Sequence, residues 1–160
     1  MITDILITDR TQADVDYVEE LKAKWLAGTI TNAEKAEWMA GLKGAYNATD
    51  LNRVGSMVEY LANALNSTGR SVTVTAKQDW AVSDIPTQAQ MNAFLTDLTL
   101  LKSNSTQTIP NVPSSMNNLD IETANRIEQI LVAVMNSMNR ETAEDYRCSD
   151  YAFSGVEGGL

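Results

Sequence analysis

The sequence predicts a mainly α-helical fold, a bundle of about five helices with a small β-ribbon and an extended C-terminal tail. Three observations favour this fold. Thr31 with Glu34 has the spacing of a capping box, which starts a helix, and Thr11 with Asp14 starts an earlier helix. A later helix carries an apolar stripe at three- and four-residue steps. One stretch, residues 71–76, alternates Val and Thr as a half-buried strand does.

The chain begins with a predicted arm of residues 1–10, and two helices follow it. Ile2–Asp9 mixes β-branched residues with Thr and Asp, which favours an extended strand. The helix that starts at Thr11 ends at Gly28. Its predicted core face comprises Val18, Leu21, Trp25 and Leu26. Gly41 and Gly44 end the second helix, because glycine adopts the left-handed conformation found just past many helix ends.

The third helix carries the strongest packing signal. Asn47, Thr49 or Asp50 caps its start, and Gly69 ends it. Its apolar stripe consists of Leu51, Val54, Val58, Leu61 and Leu65. Such a stripe has to be covered by other apolar faces, so we expect all five side chains to be buried. The strand of residues 71–76 follows, and the N-terminal arm is its expected partner in the β-ribbon.

Two further helices complete the predicted bundle, with a linker between them. Thr87 starts the fourth helix. Its apolar side comprises Met91, Phe94, Leu95, Leu98 and Leu101. The linker, residues 103–119, is rich in Ser, Asn and Thr, and Pro110 and Pro113 keep it extended. Asp120 starts the last helix. Its core-facing residues are Ala124, Ile127, Ile130, Leu131, Val134 and Met138.

The tail differs in composition from the helical domain. We assign residues 1–141 to the helical domain and residues 142–160 to an extended tail that combines aromatic residues with glycines. This composition is too apolar for a linker and too flexible for a helix, so we expect the tail to contact a neighbouring subunit. The alternative is a disordered end or one that folds back onto its own domain. The predicted interaction residues are Tyr146, Tyr151, Phe153 and Gly155.

Composition argues against several functions. The 160 residues carry 12 Lys and Arg against 21 Asp and Glu, a net charge of −9, whereas nucleic-acid binders need a cationic patch. No apolar run approaches the roughly 20 residues of a membrane span. The chain has no histidine, and Cys148 is its only cysteine, so zinc sites built from these residues and histidine-dependent nucleophiles are excluded. We expect Cys148 to be an inert thiol and predict no cofactor and no metal.

Carboxylates are the remaining candidates for chemistry. The first helix carries a cluster of them, Asp14, Asp16, Glu19 and Glu20. A Ca²⁺ or Mg²⁺ site would use such oxygens, but the glycine of the EF-hand loop is missing, and a solvated acidic first turn is the favoured interpretation. Glu37 with Glu59 could act as the acid and base of a glycosidase, which is the enzymatic alternative.

Four blocks of the chain carry a family resemblance: Ile7–Val18, Glu34–Gly55, Asp79–Thr87 and Asn118–Leu131. Together they resemble small virion-associated proteins encoded among the tail genes of tailed phages and prophages of Firmicutes, and Glu34–Gly55 is the most specific block. The tail sequence Tyr-Ala-Phe-Ser-Gly-Val-Glu-Gly-Gly is similar to the short Ser-Gly and Gly-Glu endings of that group. The resemblance implies a structural or accessory part of a phage tail, with no catalytic residues.

The sequence therefore favours a non-enzymatic phage or prophage protein that binds other virion proteins or copies of itself. We expect synthesis in the bacterial cytoplasm, because no basic region precedes the short apolar run at the N-terminus, and a final location in the virion. We expect neither a nucleic acid nor a membrane as a partner. Two alternatives remain, a phage cell-wall glycosidase with paired carboxylates and an intracellular regulatory module that binds a host protein.

Overall fold

Five helices and their connecting segments make up the described part of the chain. The computed structural model describes residues 5–117 and 119–153, with side chains as far as residue 144. The helices are α1 (Gln12–Leu26), α2 (Asn32–Ala40), α3 (Ala48–Ser67), α4 (Gln88–Ser103) and α5 (Ile121–Phe153). The prediction of a mainly helical fold with about five helices is therefore confirmed.

Local hydrogen bonds set the starts of the first four helices. In each, the N-cap side chain accepts a backbone N–H of the first turn, and the side chain three residues later accepts the N-cap N–H. The pairs are Thr11 with Asp14, Thr31 with Glu34, Asn47 with Asp50, and Thr87 with Gln90. These reciprocal bonds satisfy donors that a helix end otherwise leaves without partners. The caps at Thr11, Thr31 and Thr87 are those that the sequence predicts, and Asn47 is one of the three candidates that it offers for α3.

The core forms where α3, α4 and α5 pack against one another. All five side chains of the α3 stripe are buried, none more than 5% exposed, as predicted. The side chains that cover them include Phe94, Leu98, Leu101, Ile127, Ile130 and Leu131. The linker also contributes to this core, because Ile109 and Met116 are buried in it.

The hairpin of α1 and α2 lies outside the core. Leu21 is the buried residue of α1, and α2 has none. The expected core face of α1 is therefore wrong at its C-terminal end, where Leu26 is 80% exposed and Trp25 is about half exposed. Trp25 packs instead against Trp38 of α2, with 6.1 Å between the ring centroids.

The predicted β-ribbon is wrong, since residues 5–117 and 119–153 contain no strand. The alternation in residues 71–76 is present, because Val72 is buried while Thr73 and Thr75 are exposed. Side chains of two helices take the place of a second strand. Val72 exchanges two hydrogen bonds with the Asn66 amide, at 2.7 and 2.9 Å, and the Thr75 N–H donates to Asp97 Oδ2 at 2.9 Å. The segment therefore needs no strand partner.

A buried charge network holds the N-terminal arm. Arg10 Nη2 donates to Asp50 Oδ1 and to Glu128 Oε1, each at 2.8 Å. Arg53 donates to the same two carboxylates, with its Nε 3.1 Å from Glu128 Oε2. The Ile7 N–H donates to Glu128 Oε2 at 2.6 Å. Two guanidinium groups therefore balance two carboxylates where the arm meets α3 and α5.

Arg10 also ties the arm to the loop after α2. Its Nε donates to the carbonyl oxygen of Lys43 at 3.1 Å, and its guanidinium carbon lies 5.2 Å from the ring centroid of Tyr46. The Arg10 backbone exchanges two hydrogen bonds with the Asn125 side chain of α5, at 2.9 and 3.0 Å. One residue thus joins the arm, the loop and two helices.

Three glycines have structural roles: Gly41 ends a helix, and Gly44 and Gly55 allow backbone segments to approach closely. Gly41, with a φ of 98°, ends α2 as predicted. Gly44 has another role, because a Cβ there would clash with the backbone carbonyl of Asp14 in α1. Gly55 lies within α3, and a Cβ there would be 2.5 Å from the carbonyl oxygen of Lys77. The segment that follows residue 76 can therefore lie directly against α3.

Helix α5 continues beyond Glu141 as far as Phe153. The prediction that the chain is extended from residue 142 is wrong for residues 142–153, which continue the helix. Glu141 pairs with Arg70 and accepts a hydrogen bond from Thr106 at 2.7 Å, whereas residues 142–144 are exposed. Adding residues to a formed helix costs less free energy than starting one, and residues 142–154 include neither Gly nor Pro. Residues 154–160, including Gly155, lie outside the described residues.

We predict that Gly55→Ala destabilises the protein. Alanine normally stabilises a helix interior by about 0.5–1 kcal/mol relative to glycine. Here the added methyl group would meet the Lys77 carbonyl, and an overpacked contact costs roughly 1–3 kcal/mol. Urea denaturation should give a lower free energy of unfolding for this variant. Ser56→Ala, on the exposed side of the same helix, is the control and should change the stability little.

We also predict that Arg10→Ala lowers the free energy of unfolding by about 3–5 kcal/mol, because it leaves two buried carboxylates with one guanidinium. The matched control is Arg126→Ala, which removes an exposed ion pair with Glu122 and should cost at most about 1 kcal/mol. Equal losses for the two variants would show that the buried network does not stabilise the fold.

Candidate functional site

An apolar groove lies between the loop after α2 and the segment that leads to α4. Its volume is about 350 Å³, within the range of pockets that hold ligands or inserted side chains. The apolar residues that line it include Trp38, Met39, Leu42, Trp80, Val82 and Pro86. One wall comes from residues 38–51 and the other from residues 80–86, so the groove is assembled from segments far apart in sequence.

Both walls are fixed by contacts with the core. Trp80 is buried, and its backbone exchanges hydrogen bonds of 2.7 and 2.9 Å with the Asn52 amide of α3. The indole Nε1 of Trp80 donates to the Lys77 carbonyl at 3.2 Å. The opposite wall is held by Arg10, which binds the Lys43 carbonyl. The groove is therefore a preformed feature of the fold.

The rim of the groove exposes large apolar side chains. Val82 and Met39, which line the groove, are 94% and 77% exposed. Ile85 is 87% exposed and lies in the chain between Asp84 and Pro86, which both line the groove. Trp38 connects this rim to the exposed Trp25 of the hairpin. Adjacent exposed apolar residues are typical of interaction surfaces, whereas single ones are common on any protein. The groove and its rim are the candidate functional site.

The acidic cluster of α1 is engaged in local contacts. Asp14 accepts from Thr11 and lies 3.7 Å from the Lys43 ammonium, and Asp16 accepts from Gln12 at 2.8 Å. Glu19 pairs with Lys22 at 3.2 Å, and Glu20 with Lys24 at 2.7 Å. Across the residues with described positions, no three Cys, Asp or Glu side chains gather as a metal-binding set.

The two carboxylates of the enzymatic alternative have separate surroundings. Glu37 accepts a hydrogen bond from the Tyr17 hydroxyl at 2.6 Å, which raises the pKa of that hydroxyl. Glu59 accepts from the Gln78 amide, also at 2.6 Å. Neither carboxylate lines the groove.

None of the predicted interaction residues belongs to the described lining of the groove. Tyr146, Tyr151 and Phe153 belong to the last turns of α5, and Gly155 lies beyond the described residues. Sequence reasoning missed the groove because its two walls, residues 38–51 and 80–86, are far apart in sequence. One signal was available, since Val82 and Ile85 are apolar residues in a non-helical segment where no periodicity explains them.

The comparisons with known proteins give no assignment. No family model matches the chain, and the comparisons with curated proteins and with solved structures found no significant match. Among the helices described, none is both long and apolar enough to cross a membrane.

We predict that the α1–α2 hairpin loosens in acid. The Lys24 ammonium donates to Glu34, and together with the hydrogen bonds of Thr31 this lowers the pKa of Glu34 to about 2. Because an unfolded glutamate titrates near 4.3, this stabilisation is present above about pH 4.3 and is lost as the pH falls towards 2. Tryptophan fluorescence should report the change, since Trp25 and Trp38 pack together in this hairpin.

Glu34→Gln should remove the contribution of Glu34 and give a smaller change than the wild type between about pH 4.3 and 2. Glu144→Gln changes an exposed carboxylate on α5 and serves as the control, which should follow the wild-type profile. A wild-type profile retained by Glu34→Gln would contradict the assignment.

Proposed function

We propose that the protein is a non-enzymatic structural or accessory component of a phage or prophage tail, which acts through contacts with other virion proteins or with copies of itself. The observation that carries this proposal is the apolar groove with its exposed rim. The resemblance of the four sequence blocks to tail-region proteins supports the same function. Final location in the virion, after synthesis in the bacterial cytoplasm, is part of the proposal.

The residues of the groove suit a protein partner. Aromatic residues and Met are enriched at the centres of protein interfaces, and tryptophan is among the residues that most often dominate binding energy. The groove has Trp38, Met39 and Trp80 in its walls. Leaving Val82 and Ile85 in water is unfavourable, so a partner that covers them would gain free energy from their burial.

The net charge of −9 favours proteins over nucleic acids as partners. A phosphate backbone would be repelled by a strongly acidic chain that has no run of Lys or Arg. Acidity at this level also favours solubility. We therefore place the binding function in apolar contact rather than in charge attraction.

Mass spectrometry of purified particles is the direct test. The wild-type protein should be present in particles, and the double variant Val82→Ser with Ile85→Ser should be incorporated at least tenfold less. Both side chains are exposed, so the variant should keep its melting temperature. Tyr60→Ser, an exposed residue of α3 outside the groove, is the matched control. A protein found in the cell but absent from particles would contradict the proposal and favour the regulatory module.

The proposal also predicts the absence of glycosidase activity. The pure protein should degrade peptidoglycan only at the background rate, since Glu37 and Glu59 each bind a separate polar partner. Turnover that is abolished by Glu37→Gln or Glu59→Gln would overturn the proposal and establish the enzymatic alternative.

A further inference from the structure

We propose that the groove binds the C-terminal segment of a second copy of this chain, residues 151–160, and so joins subunits head to tail. This inference rests on the proposed function, because it specifies the partner in assembly as the protein itself. The segment reads Tyr-Ala-Phe-Ser-Gly-Val-Glu-Gly-Gly-Leu. The distance from the end of α5 to the groove decides whether the segment can bind the groove of its own chain or only that of another copy.

The groove and the C-terminal end of α5 lie at opposite ends of the bundle. At one end, Arg53 of α3 pairs with Glu128 of α5, and the groove residues of α3 precede Arg53. At the other end, Arg70, which follows α3, pairs with Glu141 of α5. Helix α5 therefore runs away from the groove and continues past Glu141 to Phe153.

The segment is too short to return to the groove of its own chain. From Glu128 to Phe153, α5 advances 25 residues, which is about 37 Å at 1.5 Å per residue. The seven residues 154–160 extend at most about 25 Å. They cannot reach even the level of Glu128, and the groove lies beyond it. Binding of this segment in the groove therefore requires a second molecule.

The composition of the segment matches the groove. Tyr151, Phe153 and Val156 supply apolar side chains, and a groove of about 350 Å³ with tryptophan and methionine walls suits the insertion of one or two of them. Gly155, Gly158 and Gly159 let the backbone follow the groove closely. Contact between copies of a chain with net charge −9 has to come from such apolar insertion rather than from charge.

Head-to-tail binding has a consequence that symmetric pairing lacks. Each copy offers one groove and one segment, so every added subunit leaves a groove and a segment open. Such a contact produces a ring if the rotation closes and a filament if it does not. Self-association should therefore depend on concentration and extend beyond a dimer.

The test combines two full-length variants in sedimentation velocity experiments. The groove variant carries Met39→Ser and Val82→Ser, and the segment variant carries Phe153→Ser and Val156→Ser. Each alone should associate at least tenfold more weakly than the wild type. An equimolar mixture should form a heterodimer and grow no further, because the segment of the groove variant fits the intact groove of the segment variant. Leu100→Ser, a partly exposed residue outside the groove, is the control and should associate like the wild type.

Three results would overturn the inference: a wild-type protein that stays monomeric at every soluble concentration, variants that associate like the wild type, or a mixture that stays monomeric. Circular dichroism verifies folding, and Ile85→Ser replaces either groove substitution that perturbs it. The proposed function fails separately. If the chain is monomeric in solution but present in particles, the proposed function stands and this inference fails. If the chain self-associates but is absent from particles, the proposed function fails and the head-to-tail contact stands.

Discussion

The structure depends on the buried contact of Arg10 and Arg53 with Asp50 and Glu128. Removing charges from water is costly, and such a group is tolerated only when each charge is matched and hydrogen-bonded. Here each carboxylate contacts both guanidinium groups, and Glu128 also accepts the Ile7 N–H. Because the four residues come from the arm, α3 and α5, the network fixes how these parts are arranged.

The same network reaches the candidate site. Arg10 binds the loop between α2 and α3 and lies over the ring of Tyr46, which also lines the groove. Burial raises the pKa of the Tyr46 hydroxyl, and the neighbouring Glu128 and Asp50 act in the same direction. Tyr46 therefore stays neutral and leaves the charge balance of the network undisturbed. The groove wall is therefore held by polar contacts behind it, and its apolar surface faces the groove.

The apolar residues of the molecule fall into a buried set that stabilises the fold and a second set that stays exposed. Helices α3, α4 and α5 bury the apolar core, while the α1–α2 hairpin and the segment before α4 expose Trp25, Leu26, Met39, Val82 and Ile85. Exposed apolar residues contribute little to folding, so they can vary or bind a partner without loss of stability. The first half of helix α5 lies in the core, and the helix continues beyond Glu141 to Phe153.

The sequence by itself determined the features that depend on near neighbours. The helix starts were predictable because each capping partner lies three residues away, and the α3 stripe because helical periodicity places its members on one face. Tertiary structure decided the rest. Residues 71–76 form no strand. Side chains from two helices bind their backbone instead, since Asn66 bonds to the N–H and carbonyl of Val72 and Asp97 accepts the N–H of Thr75. The groove was not predictable because its walls are about 40 residues apart in sequence and meet only when Arg10 and Asn52 hold them against the core.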